Sequence, residues 1–141
     1  MDIRKENGKR IADILEQTGP NDVIIRTDND WDLRIYHSDI ENNTKTIEMC
    51  STIDFQGDLM FDPLMKIELT LDDEGKIIEA TPVYYLSKTL FCTEEIYAEG
   101  NPACWDPRLY KKAEELDGRL SEWLDSIRIQ RYLTKGRIIK A

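Results

Sequence analysis

The sequence predicts an α+β domain in which an antiparallel sheet of four or five strands is flanked by an N-terminal helix and a long C-terminal helix. Two observations carry this prediction. Apolar residues recur at helical spacing near both ends of the chain. In the middle they alternate with polar residues between short turns rich in Asn, Asp and Gly. The length of 141 residues suits one domain covering residues 1–141, which is large enough to bury a core without disulfides or metal.

The first element is predicted to be a helix. Four apolar residues fall near one face at helical spacing: Ile3, Ile11, Ile14 and Leu15. Thr18 is followed by Gly19 and Pro20, which is a common sequence for a helix end. Gly8 weakens the first turns, so we place the start of the helix near Lys9.

The middle of the chain is predicted to form the sheet. Four alternating runs predict strands, at 31–36, 47–55, 65–71 and 76–86, and the stretches 23–25 and 90–97 are further candidates. Pro82 cannot donate a ladder hydrogen bond, so its strand is expected at an edge or a bulge. With both helices on one face, the other face is expected to be wet and acidic. Its acidic residues would be Asp32, Glu48, Asp54 and Glu68.

The last element is predicted to be a long amphipathic helix. Asp106 followed by Pro107 is a strong start signal, because Asp caps the first backbone N–H groups and Pro fits the first turn. The apolar residues then recur at intervals of three or four: Leu109, Ala113, Leu116, Leu120, Leu124 and Ile127. The pattern predicts a helix of about 24 residues, roughly 36 Å long. The basic tail that follows, residues 134–141, is a candidate mobile segment.

The formal charge of -9 is distributed unevenly along the chain. Residues 22–106 hold 6 basic and 19 acidic residues, a net -13, whereas residues 107–141 hold 9 basic and 5 acidic residues, a net +4. An acidic field repels nucleic acid and attracts a basic protein surface, so direct nucleic-acid binding through the middle segment is not expected. The bland alternative is that the acidic surface serves only solubility. A weak nucleic-acid contact stays open for the basic C-terminal 14 residues.

The cysteines and the hydropathy favour a cytoplasmic protein without a membrane segment. Three cysteines, at 50, 92 and 104, form no disulfide framework, and we expect Cys92 and Cys104 to be small buried hydrophobic residues. No stretch has the roughly 18 apolar residues that span a bilayer. The N-terminal residues lack the apolar core of a signal peptide.

No pattern in the sequence supports catalysis, a metal or a cofactor. His37 has Asp39 two residues away but no accompanying nucleophile motif, so we interpret it as an ordinary strand-end histidine. The run from Asp28 to Asp32 resembles a calcium loop, yet the required glycine is replaced by Leu33. We therefore predict no enzyme activity, no bound metal and no cofactor.

Two features favour protein binding. The first is a set of acidic residues at or near turns: Asp28, Asp30, Asp32, Asp72, Asp73, Glu74, Glu94 and Glu95. If these turns share one end of the sheet, their carboxylates would imitate a row of phosphates. The second is the stretch containing Tyr97 and Trp105, since large aromatics are common anchors in interfaces.

Three stretches resemble a family of small uncharacterised domains found on bacterial conjugative elements and phages. They are Phe61-Asp62-Pro63, the strand pair around Asp72-Asp73-Glu74-Gly75, and the helix containing Trp123-Leu124-Asp125-Ser126-Ile127. The resemblance covers residues 23–133 and carries over no catalytic residue. It implies a mobile-element context, in which small acidic proteins are often counter-defence factors. Anti-CRISPR proteins that occupy the nucleic-acid-binding surface of a Cas nuclease resemble this chain in size and charge.

The leading hypothesis from the sequence is a non-enzymatic acidic protein-binding module, of the kind that inhibits a nucleic-acid enzyme such as a Cas nuclease. Its partner would be a basic protein surface. The first alternative is a homo-oligomeric structural or assembly protein, such as a homodimer formed through a sheet edge or the long helix. The second alternative is a small metal-dependent hydrolase.

Overall fold

A computed structural model describes residues 2–27, 31–89, 92–129, 132 and 136–140. In these residues the chain forms two α-helices and an eight-stranded, mostly antiparallel sheet, so the predicted α+β class is confirmed. The helices are α1 (Ile3–Thr18) and α2 (Ala113–Ile129). The strands are β1 (Val23–Arg26), β2 (Asp32–Glu41), β3 (Thr44–Phe55), β4 (Asp58–Leu71), β5 (Ile77–Lys88), β6 (Thr93–Ala98), β7 (Tyr110–Lys111) and β8 (Arg137–Lys140).

The sheet contains more strands than the four or five predicted, because short segments pair with both of its edges. The strand order is β7-β6-β5-β4-β3-β2-β1-β8. Strands β1 to β6 follow one another as antiparallel neighbours, β8 adds antiparallel to β1, and the two-residue β7 adds parallel to β6. The edge of a sheet presents unpaired N–H and C=O groups, which even a short segment can satisfy. The basic tail therefore contributes β8, an element that its sequence did not predict.

Two turns of the sheet, at Asn42-Asn43 and at Asp72, occur where Asn and Asp predict them. Asn42 and Asn43 join β2 to β3 with φ angles of 49° and 59°, the left-handed conformation of a two-residue hairpin turn. In the turn between β4 and β5, one carboxylate oxygen of Asp72 accepts hydrogen bonds from the backbone N–H groups of Glu74 and Lys76, at 2.9 and 2.8 Å. This side chain closes the turn in the way that Asp commonly does.

Helix α1 begins at Ile3 and not near Lys9 as predicted. The carboxylate of Asp2 caps its first turn by accepting from the backbone N–H of Arg4 at 3.0 Å. Gly8 stays inside the helix because it packs against β5, where a Cβ atom would lie 3.0 Å from the Cα of Glu79. The glycine is a close-packing position rather than a frayed turn.

Helix α2 is shorter than the predicted 24 residues and begins later. Asp106 and Pro107 start a single 3-10 turn, Pro107–Leu109, in which the Asp106 carboxylate accepts from the backbone N–H of Arg108 at 3.0 Å. The chain then runs extended through β7 and enters α2 only at Ala113, giving 17 residues. The helix cannot start earlier because Tyr110 and Lys111 pair with β6 as β7. From Ala113 onwards the apolar residues recur at the predicted helical spacing.

Both helices lie on one face of the sheet, called here the covered face, and bury the core between them and the strands. The fully or nearly fully buried core residues include Ile11, Ile25, Leu33, Ile35, Ile47, Met49, Met65, Ile67, Leu69, Leu120, Leu124 and Ile127. Polar contacts fix the two helices side by side. Arg4 pairs with the buried Asp117 at 3.2 Å, and Arg10 pairs with Asp125 at 2.5 Å. None of the helices that the structure describes is long and apolar enough to cross a membrane.

On the opposite face of the sheet, called here the open face, neither α1 nor α2 packs, and the charges are mixed. Asp32 forms an ion pair with Arg26 at 2.9 Å, and Glu48 lies directly opposite Lys66 in the pairing of β3 with β4. Arg34 donates to the hydroxyls of Thr52 and Tyr36. The open face is therefore less acidic than the sequence suggests, since strands β1, β2 and β4 place bases among the acids.

Candidate functional site

The strongest candidate site lies on the open face where β5 and β6 meet the loop 99–106. The loop is fixed to the sheet from two sides. The Asn101 side chain donates from Nδ2 to the backbone carbonyl of Val83 at 2.9 Å, and the Tyr110 hydroxyl donates to the carbonyl of Asn101 at 2.9 Å. Gly100 takes a φ of 85°, a left-handed conformation that glycine adopts readily. These contacts hold the loop that carries Trp105 beside β6.

Four side chains form what we call the aromatic cluster: Tyr84, Tyr97, Trp105 and Glu95. The rings of Tyr84 and Tyr97 lie 4.8 Å apart between centroids and are tilted by 60°. The Tyr84 hydroxyl donates to Oε2 of Glu95 at 2.5 Å, and the Trp105 indole donates from Nε1 to Oε1 at 2.7 Å. One carboxylate thus joins a strand tyrosine to a loop tryptophan, while Trp105 as a residue remains 71% exposed.

The electrostatics of the aromatic cluster centre on Glu95. Burial, together with the hydrogen bond to Glu95, raises the pKa of Tyr84 well above its ordinary value, so its proton stays in that bond. Burial also raises the pKa of Tyr97, with Glu95 as the next cause. Among the residues that the structure describes, no Lys or Arg forms an ion pair with the Glu95 carboxylate within 4.0 Å. Two neutral donors, the Tyr84 hydroxyl and the Trp105 indole, therefore orient the Glu95 carboxylate.

A shallow cavity of about 280 Å³ adjoins the aromatic cluster. Its lining combines apolar and polar side chains: Glu48, Leu64, Lys66, Tyr84, Leu86, Tyr97, Asn101 and Ala103. Mostly apolar walls with a few fixed polar groups are the usual composition of a binding cavity.

The structure separates the two acidic turns that the sequence analysis considered together. Asp32 begins β2 at the same end of the sheet as Gly57, whereas the turn of Asp72, Asp73 and Glu74 lies at the end of Gly75. Strand β2 alone, with 10 residues, spans roughly 30 Å between these ends. Among the described residues, Asp32 and the turn of Asp72, Asp73 and Glu74 therefore do not lie at one end of the sheet. Asp28 and Asp30 lie outside the described residues.

Glu94 and Glu95 project to opposite faces of the sheet, because neighbouring residues of a strand alternate. Glu94 lies on the covered face and pairs with Arg119 of α2 at 2.9 Å. Glu95 lies on the open face with Tyr97 and Trp105. Of the ten predicted binding residues, the structure therefore brings together Glu95, Tyr97 and Trp105, and places Asp32 farther along the open face in its ion pair with Arg26.

Tyr84 is the member of the aromatic cluster that the sequence analysis did not select. It enters the site because β5 pairs with β6 so that Tyr84 faces Tyr97 directly. The available signal was the alternation of Tyr84 and Leu86 along β5, which gives them a common face. Alternation along one strand does not show how that strand pairs with its neighbour. Identifying Tyr84 as a member of the cluster therefore required the register of β5 against β6.

His37 is the single histidine of the chain. Within the part of the chain that the structure describes, neither of its ring nitrogens has a hydrogen-bond partner, whereas its backbone N–H donates to the Asp22 carboxylate at 2.8 Å. Burial lowers the pKa of His37, and the charge of Lys45 lowers it further. Among the described residues, no group of three or more His, Cys, Asp or Glu side chains is arranged to hold a metal.

The cysteines differ from the prediction in which of them are buried. Cys50 is the buried cysteine, and burial raises its pKa to about 12, so its thiol stays protonated and unreactive near neutral pH. Cys92 is exposed, and Cys104 is half-exposed in the loop that carries Trp105. The expectation that Cys92 and Cys104 are buried is therefore wrong, because Cys92 directly precedes β6 and Cys104 lies in the loop that follows it, both outside the core.

Comparison with known proteins gives no match: no family model, no curated protein and no solved structure is similar to this chain.

Proposed function

We propose that this chain is a non-enzymatic protein-binding module that docks its open face onto a basic surface of another protein. The observation that carries the proposal is the state of Trp105. The residue is 71% exposed, yet its indole N–H is fixed by a 2.7 Å hydrogen bond to Glu95. An exposed tryptophan that is already ordered loses little conformational freedom on binding, which is typical of an interface anchor.

Charge supports a basic partner. The chain carries a net -9, and the Glu95 carboxylate lies within the aromatic cluster without an ion-pair partner among the described residues. Complementary charge mainly accelerates association and is screened by salt. We therefore expect an association rate that falls as the ionic strength rises.

The resemblance to mobile-element domains supports a class of partner. We propose a nucleic-acid enzyme, such as a Cas nuclease, whose nucleic-acid-binding groove is rich in Lys and Arg. Docking through the open face would block such a groove sterically. This steric mechanism does not need a row of phosphate-like charges.

A selection of random peptides displayed on phage tests the proposal. We expect the immobilised chain to enrich peptides containing Arg or Lys, and we expect their binding to fall at least tenfold for Trp105→Ala. Ile40→Ala is the matched control, because Ile40 is another exposed large hydrophobic side chain, 61% exposed, on β2, four strands away from β6. Peptides without basic residues, or equal binding by wild type and Trp105→Ala, would contradict the proposal.

A second candidate function, self-association, is favoured by the outer edge of β8. This edge strand exposes Ile138 by 52% and Ile139 by 37%. Light scattering after size exclusion would show a dimer that Ile138→Asp dissociates. A monomer at every concentration would remove this candidate, whereas the phage selection does not depend on it.

A further inference from the structure

We infer that the aromatic cluster receives the guanidinium group of an arginine side chain from the protein partner. This inference rests on the proposed function and adds the chemistry of the group that binds. It starts from an arrangement of Tyr and Glu that occurs twice in the pairing of β5 with β6, once on each face of the sheet.

The register of these two strands places a Tyr diagonally opposite a Glu on both faces. Tyr85 faces Ile96, with Glu94 two residues earlier, and Tyr84 faces Tyr97, with Glu95 two residues earlier. Diagonal neighbours on one face lie within reach of long and aromatic side chains. The two diagonals therefore present the same pair of groups to opposite sides of the sheet.

On the covered face an arginine occupies this arrangement. The guanidinium carbon of Arg119 lies 4.7 Å from the centroid of the Tyr85 ring, and its Nη1 atom lies 2.9 Å from Oε1 of Glu94. Arg119 belongs to α2. Its guanidinium therefore connects the helix to the sheet by stacking on Tyr85 and pairing with Glu94.

On the open face the corresponding position holds no arginine among the described residues. No described residue forms an ion pair with Glu95, and Trp105 adds an exposed indole next to it. The ammonium of Lys66 lies 5.5 Å from the Tyr84 ring centroid, which shows that a cation is accommodated beside this ring. The partner protein would supply an arginine guanidinium to the open face, as α2 supplies Arg119 to the covered face.

The donors and acceptors of the cluster suit a guanidinium better than an ammonium. Each Glu95 oxygen accepts one hydrogen bond, from Tyr84 or from Trp105, and retains capacity for a second. A planar guanidinium donates to two carboxylate oxygens at once and stacks on aromatic rings, which a compact ammonium does not do. The adjoining cavity, with Leu64 and Leu86 in its lining, offers apolar contact to the arginine stem.

Titration of the full chain by NMR tests the inference. The probes are Nα-acetyl-arginine amide, its neutral isostere Nα-acetyl-citrulline amide, and Nα-acetyl-lysine amide. The signal is the indole N–H of Trp105, assigned with the variant Trp105→Phe. We expect a saturable shift with the arginine amide, at a Kd on the order of 1 mM as befits a single side chain. The lysine amide should bind more weakly, and the citrulline amide should give no saturable shift.

Two substitutions in β6 distinguish loss of the Glu95 charge from a general effect on folding. Glu95→Gln should weaken binding of the arginine amide at least tenfold, while Glu94→Gln, the same change on the covered face, should leave it unchanged. Unaltered backbone resonances away from β6 will show that each variant is folded. Equal shifts with the arginine and citrulline amides, or full binding by Glu95→Gln, would overturn the inference. If either of these results is obtained while the phage-selected peptides still require Trp105, the arginine inference fails and the proposed function stands. If the selected peptides bind equally well without Trp105, the proposed function itself fails.

Discussion

The backbone of Gly8 in α1 lies directly against the backbone of Glu79 in β5. A Cβ atom at position 8 would lie 3.0 Å from the Cα of Glu79 and 3.1 Å from its carbonyl carbon. Both atoms belong to an interior strand of the sheet, which cannot easily move aside. The approach of the first helix to the sheet is therefore set by the absence of one side chain.

We expect Gly8→Ala to destabilise the protein by about 1–3 kcal/mol. The new methyl group must push α1 away from β5, and this cost exceeds the gain of up to about 1 kcal/mol in helix propensity. Chemical denaturation followed by circular dichroism measures the change. Gly118→Ala in α2 is the matched control, because its Cβ would meet nothing within 4 Å, and we expect it to stabilise the protein by about 0.5–1 kcal/mol. Equal effects of the two substitutions would contradict this account.

We expect Asp72→Ala to destabilise the protein by about 1 kcal/mol, because its carboxylate accepts two backbone hydrogen bonds within the turn. Asp73→Ala removes the neighbouring carboxylate, which makes no such bond, and should change the free energy of unfolding by less than about 0.5 kcal/mol. Urea denaturation of the two variants checks the prediction. A larger loss for Asp73→Ala would show that Asp72 does not close the turn.

We expect stability to fall as the pH drops below about 6.5 in a way that depends on His37. In the folded state, burial and the charge of Lys45 hold the pKa of His37 below its ordinary value of 6.5, and the charge of Asp22 offsets these two effects only in part. Between these two pKa values the unfolded chain binds more protons, so lowering the pH favours unfolding until the folded pKa is passed. Denaturation of wild type and His37→Leu from pH 7.5 to 5 measures the difference. We expect the wild type to lose more stability over this range than the variant, and parallel curves would contradict the assignment.

Local patterns in the sequence predict much of this fold. Alternation identified the strands that carry Leu33, Ile47 and Ile67, and helical spacing identified Ile11 and Leu120, all of which are buried in the core. These features depend on which residues of one element share a face. The turns at Asn42-Asn43 and Asp72 are predictable for a similar reason, because their chemistry is local.

Features that depend on contacts between distant segments were not predicted. Strand β8 pairs with β1, which lies more than 100 residues earlier in the chain. Strand β7 separates the predicted helix start at Asp106-Pro107 from α2, because Tyr110 pairs with Tyr97. In the site, Tyr97 and Trp105 were identified as aromatic anchors, but Tyr84 was not. Its inclusion depends on the register of β5 against β6, as does the separation of Glu94 from Glu95.

Hydrogen–deuterium exchange of the full chain, alone and with a peptide from the phage selection, tests most directly whether the open face is the docking surface. We expect slower exchange in β6 and in the loop 99–106, and no change in α1, which lies on the covered face. Trp105→Ala with the same peptide should abolish the protection. Protection confined to α1 and α2, or protection that persists in Trp105→Ala, would contradict the central claim that this protein binds its partner through the aromatic cluster.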